Sequence, residues 1–318
     1  MTRRRIDVHA HFLPDVYRRA LAEAGIDQPD GIKAVPAWDE TSALQTMDQL
    51  DVETAILSIS SPGVHLGDAA ETAQLARAVN EEAAALRDRH PGRFGFFASV
   101  PLPDVNAAVA ELQHSIDVLG ADGVVVESNT AGIYLGNPVL EPVFTELAAR
   151  SSVLFVHPTT PDCAEHLALG YPRPMLEFMF DTTRSITDLV LSGALQRHPN
   201  MQVLVPHAGA ALPVLAARVE LLLPLLAVPG GPAVPSLRDA LHHLHFDLAG
   251  APVDELLTAL LAVADPHRIH YGSDYPFTPA NTCIELAALL DVTVALDDTQ
   301  RTAIDADNAR HLFPRLAR

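Results

Sequence analysis

Short apolar runs alternate along the whole chain with longer segments in which apolar residues recur every three or four positions. Segments 6–11, 54–60, 94–100, 123–126, 153–156, 203–205, 245–248 and 269–271 are rich in β-branched, aliphatic and aromatic residues and predict strands. Between and after them, 14–25, 41–50, 68–90, 107–119, 140–150, 175–196, 212–223, 237–241, 253–263 and 284–290 carry helical spacing. Several of these close at a glycine or proline, as at Gly25, Gly120 and Pro91-Gly92. Segments 26–38, 161–174 and 224–235 are punctuated by Gly and Pro and read as loops. Strands separated by helices predict a parallel sheet with crossover connections, and eight such units predict closure into an α/β barrel of the (β/α)8, or TIM, type. Composition does not shift along the chain, so residues 1–318 are expected to form one domain.

The totals narrow the class without changing that picture. Apolar residues make up 48% of the 318 positions, ample for a core, and aromatics only 5%. Against 40 Asp and Glu stand 21 Lys and Arg, a formal net charge of −19, and no basic stripe offsets it. A nucleic-acid partner is therefore excluded, because phosphate binding needs concentrated positive surface. Arg3-Arg4-Arg5 is followed by Asp7, His9 and His11 where the apolar core of an export signal would lie. The apolar run 221–228 is broken by Pro224 and too short to cross a membrane. With only Cys163 and Cys283, far apart, a disulfide framework is not expected, and a cytoplasmic enzyme is.

Candidate chemistry collects at the predicted strand ends. In an extended strand i and i+2 point the same way, so His9 and His11 in Ile-Asp-Val-His-Ala-His can offer two imidazoles to one ion. Phe155-Val156-His157-Pro158, Val205-Pro206-His207-Ala208-Gly209 and Tyr271-Gly272-Ser273-Asp274-Tyr275-Pro276 each end an apolar run on a potential ligand. In a (β/α)8 barrel those ends form the catalytic face.

These four signatures, with Phe180-Asp181-Thr182-Thr183-Arg184, Leu191-Ser192-Gly193, Arg197-His198-Pro199 and Asn308-Ala309-Arg310-His311-Leu312-Phe313, resemble the amidohydrolase superfamily over most of the chain. Within it they resemble the branch of aminocarboxymuconate semialdehyde decarboxylase and related aromatic-acid decarboxylases. Tyr134-Leu135-Gly136-Asn137-Pro138 is most like the 6-methylsalicylate decarboxylase type. The resemblance implies that His9, His11, His157 and Asp274 bind one divalent metal, with no organic cofactor. Three imidazoles and a carboxylate suit zinc, and manganese tolerates the same set. It implies that His207 acts in proton transfer, and that Arg218 enters a neighbouring subunit's site in a homodimer to hold a substrate carboxylate. Where binuclear relatives have a lysine on strand four, this chain has Glu127, which implies a single ion.

The expected activity is decarboxylation of a small aromatic or conjugated carboxylic acid, with Asp274 or His207 delivering a proton to the ring carbon. The alternative is hydrolysis of a lactone, ester or amide through the same site. A metal-binding scaffold without activity would have no use for an open coordination position and an adjacent base. Trp38, Phe12 and Phe180 are candidates to line an aromatic pocket or simply to pack the core. Arg184 is a substrate contact or a partner of Asp181 or Asp188. Asp247 is a ligand's partner or a loop cap, and His242-His243-Leu244-His245 reads as a helix end entering strand seven.

Overall fold

The computed structural model describes residues 4–231, 233–250 and 254–316. Arg3, Pro232 and Val253, each part of a stretch discussed above, lie outside the described residues. Eight strands form one parallel sheet in chain order: β1 Arg5–His11, β2 Val52–Ser58, β3 Phe94–Ser99, β4 Gly123–Glu127, β5 Val153–His157, β6 Gln202–Val205, β7 His245–Asp247 and β8 Ile269–His270. Backbone bonds from Val8 N to Tyr271 O, Asp274 N to His9 O and His11 N to Tyr275 O (3.0, 2.8 and 2.7 Å) join the ends of the sheet into a barrel. The predicted fold class is the observed one.

Strand sequences are nearly continuous apolar runs because both faces are covered. On β4, Val124 and Val126 pack outward among the helices, while Val125 faces the barrel interior. The interior holds Ile6, Val8, Ile56, Phe97, Val125, Phe155 and Leu204, and one end is plugged by Ala306, Ala309 and Phe313 from the C-terminal segment. The Phe97 ring lies 5.1 Å from Phe155 and 5.9 Å from Phe313. With that end filled by apolar groups, polar side chains of the sheet collect at the other.

The helices follow their sequence signals. The long helix Ala69–Arg89 starts at a capping box in which Asp68 accepts from the Ala70 and Glu71 amides and Glu71 reaches back to Asp68 N; such a cap contributes about 1 kcal/mol. The predicted helix 175–196 is divided: it runs Glu177–Leu191, stops at Gly193 with φ 78°, and resumes as the short Ala194–Arg197. Predicted loop 161–174 contains the helical turn Ala164–Leu167. A two-stranded hairpin, Asn129–Thr130 with Ile133–Tyr134, and the C-terminal helices Asp298–Thr302 and Asn308–Leu312 have no counterpart in the predicted elements. Among the described residues no helix is long and apolar enough to cross a membrane.

Candidate metal centre and active site

β1 ends on His9 and His11, β5 on His157, and Asp274 follows β8 in a left-handed conformation (φ 62°). The four residues each offer one ligand atom, and those atoms all lie within 4.8 Å of one another. The Nε2 atoms of His9 and His11 are 3.1 Å apart, and Asp274 Oδ1 is 3.6 and 3.2 Å from them. All three histidines are buried.

Each ring is held through its other nitrogen. His9 Nδ1 donates to Asp247 Oδ2 at 2.9 Å, His11 Nδ1 to the Ser58 carbonyl at 3.2 Å, and His157 Nδ1 to the Pro158 carbonyl at 2.8 Å. These bonds fix the tautomers so that three Nε2 lone pairs converge beside a carboxylate. Nitrogens facing each other at 3.1 Å repel unless a proton or a metal ion lies between them, and the donor set fits a divalent metal and matches the N3O chemistry of zinc sites. Burial lowers the His11 pKa to about 4 and that of His157 to about 3, which keeps both neutral and able to coordinate. Burial opposes charge on His9 as well, yet the Asp247 carboxylate, with Asp274 and Asp7, lifts its pKa above the ordinary value. Burial also works against the Asp274 carboxylate, but the adjoining His11 ring and the charge of His9 hold it well below the usual range.

Around this centre lie groups of several kinds. His207 stands with its ring centroid 5.1 Å from His9, and its Nδ1 is buried without a partner. Burial lowers its pKa to about 4. It is placed by backbone: His207 N donates to Asp247 Oδ1 at 3.0 Å, and His207, Ala208 and Ala210 all have φ near 55°. Phe12, the residue after His11, packs with the apolar core and edge-on against Trp38 at 6.1 Å, and Trp38 Nε1 is buried and unpaired. Phe277 lies edge-on to His11 at 5.4 Å, and Phe178 to His157 at 6.3 Å. Sequence reasoning missed both, although Phe277 follows Asp274 by only three residues. Glu127, at the end of β4, comes within 3.5 Å of His157 Nδ1; burial, with Asp30 and Asp181 nearby, holds its carboxyl pKa well above normal.

Other candidates sit elsewhere. Arg184 pairs with Asp181 at 2.7 Å, and that fully buried carboxylate also binds Ser128, Asn129 and Tyr134. Phe180 is 43% exposed on an outer groove shared with Leu167, Thr187 and Leu191. Arg218 is exposed on the helix Leu212–Leu222. His245 Nδ1 lies 2.9 Å from His270 Nε2, away from the four ligands.

A closed parallel barrel with a candidate metal centre at the C-terminal ends of β1 and β5 defines the class: a (β/α)8 enzyme with its chemistry on that face. The family model described as "Amidohydrolase" matches residues 6–315, and the chain belongs to that family. It is 36% identical to the 6-methylsalicylic acid decarboxylase of Penicillium expansum over 98% of this chain and 97% of that one. A crystal structure of an amidohydrolase II protein superposes with a TM-score of 0.91 at 36% identity, covering 98% of this chain and 99% of the other. The 5-carboxyvanillate decarboxylase of Novosphingobium aromaticivorans, complexed with manganese and 4-hydroxy-3-methoxy-5-nitrobenzoic acid, shares the fold. Its TM-score is 0.86 at 21% identity, over 98% and 96% of the two chains.

Proposed function

We propose that this chain is a metal-dependent decarboxylase of small aromatic carboxylic acids of the hydroxybenzoate kind. The full-length likeness to a 6-methylsalicylic acid decarboxylase carries the reading. The aromatic rings Phe178 and Phe277 beside the ligand set support it, since flat apolar walls suit a ring. His9, His11, His157 and Asp274 would hold one divalent ion, zinc by donor type, with manganese compatible and present in a structural neighbour. That ion, when bound, supplies positive charge that fixes an anionic acid and draws electron density from it.

The protein's own groups do the rest. Asp247 orients His9 through its ring and His207 through its backbone. His207, with an unpaired ring nitrogen, is the group free to hold a proton, and an anionic substrate beside it raises its hold on that proton. It delivers the proton to the ring carbon bearing the carboxylate; the carbon–carbon bond breaks, its electron pair restores the aromatic ring, and carbon dioxide leaves. Asp274, kept ionised, is the alternative carrier once it takes up a proton from a ring hydroxyl.

The protein acts as a homodimer in this reading. Val214, Leu221, Leu222, Leu225, Leu226 and Val228 are all exposed around Arg218, and an apolar surface of that extent calls for cover. Arg218 then stands near the neighbouring subunit's site. Two cysteines without a disulfide suit a cytoplasmic setting. Carbon dioxide release from a panel of hydroxybenzoates, run beside lactones and amides, tests the activity. Turnover of lactones or amides with no acid decarboxylated would replace it with the hydrolase reading.

A further inference from the structure

Two N–H groups on the loops over the site are buried without partners: Nε1 of Trp38, after β1, and Nε of Arg173, after β5. The loops meet, the turn Pro29–Gly31 packing on the turn Arg173–Met175. NH1 of Arg173 occupies the space a side chain at Gly31 would need. The next residue down, Asp30, accepts from Thr160 Oγ1, three positions beyond His157. Ser61 lies beside the same Asp30, and its neighbour Ser60 places Oγ 3.4 Å from His157 Nε2. A short chain of contacts therefore joins the Arg173 guanidinium to a metal ligand.

The Nε–H of this guanidinium is buried without an acceptor. Arg77, Arg150 and Arg315 each hold a carboxylate at 2.6 to 2.9 Å. No carboxylate oxygen lies within 4.0 Å of Arg173 among the described residues, although Asp30 is near enough for its titration to sense the charge. A half-buried cation with a free donor, linked through Asp30 and Thr160 to the segment that follows His157, is suited to an oxyanion. We propose that Arg173 binds the carboxylate-bearing side of the substrate and selects acids over neutral phenols. The inference rests on the aromatic-acid reading above. It assigns within one chain a cationic contact that the sequence placed at Arg218, with Arg184 as a second candidate.

Trp38 is the sole tryptophan, so its emission reports from the single segment between β1 and β2. Metal-loaded protein is titrated with salicylate and with phenol, following Trp38 fluorescence and heat. Salicylate is expected to bind and to shift the emission. Arg173→Gln should raise its dissociation constant about ten- to a hundredfold, the worth of one charged hydrogen bond, and leave phenol within about twofold. Arg173→Lys should recover part of the loss, because a point charge replaces the fork. Gly31→Ala, which displaces the guanidinium without removing it, should weaken salicylate in the same sense. Metal content and thermal unfolding show that each variant is folded. Salicylate binding unchanged in Arg173→Gln, equal weakening of salicylate and phenol, or no salicylate binding by the unaltered protein would overturn the proposal. If salicylate binding depends on Arg173 and no acid releases carbon dioxide, the decarboxylase reading alone fails. If acids are decarboxylated and Arg173→Gln binds salicylate normally, this inference alone fails.

Discussion

Replacing Asp247 by asparagine changes one atom and reverses the logic of the site. Asp247 Oδ2 accepts from His9 Nδ1 at 2.9 Å, while Oδ1 accepts from the His207 and Ala249 amides, both at 3.0 Å. Asparagine has one acceptor where the carboxylate has two. If its oxygen faces the two amides, its NH2 meets His9 Nδ1, and the ring must shift its proton to Nε2, where the metal would bind. If its oxygen faces His9, two buried amide donors confront an NH2, at about 1–3 kcal/mol each. The first arrangement is cheaper, so the fold survives and the ligand is lost. Loss of an outer partner of this kind weakens metal binding about 10- to 100-fold, or about 1.4 to 2.7 kcal/mol. Competition with a chelator of known affinity measures this in both proteins, with thermal unfolding in excess chelator as the control for folding. A metal dissociation constant within twofold of the unaltered protein would refute the tautomer argument.

Metal uptake at pH 6 should release about one proton per ion rather than three. Burial keeps His11 and His157 neutral with pKa values of about 4 and 3, Asp274 is ionised, and only His9 is raised into the range where it must give up a proton. Calorimetry in buffers of different ionisation enthalpy counts that proton, and a count near three would contradict the assignment. Ala210 has φ 54° and ψ −124°, a conformation comfortable only for glycine. Ala210→Gly should therefore stabilise the fold by about 1 kcal/mol, a few degrees in Tm, measured by scanning calorimetry. A lower Tm would show that the Ala210 methyl group contributes more by packing than it costs in strain.

The barrel was legible because its strands are covered on both faces and read as apolar runs, and because His9 and His11 share a strand two residues apart. His157 and Asp274 were legible for the same local reason: each ends an apolar run at a turn. For Asp247 the sequence is compatible with two roles, because the deciding fact is a hydrogen bond to a residue 238 positions away. Phe178 and Arg173 were hidden more deeply. Phe178 lies in a helix whose facing cannot be read without the barrel, and Arg173 lies in a loop of glycines and prolines that carries no periodicity. Gly193 was visible, but only its left-handed φ shows that it divides the helix predicted over 175–196. The C-terminal plug escaped notice because Ala306, Ala309 and Phe313 gain meaning only from the open barrel end they fill.

The central claim is that one ion, gripped by His9, His11, His157 and Asp274, is required for carbon–carbon bond cleavage. Elemental analysis of purified active protein, set beside carbon dioxide release from the same sample and from His157→Ala, tests it most directly. The account predicts one zinc or manganese per chain, with ion and activity lost together in the variant. Active protein without a stoichiometric ion, or His157→Ala retaining both, would contradict it.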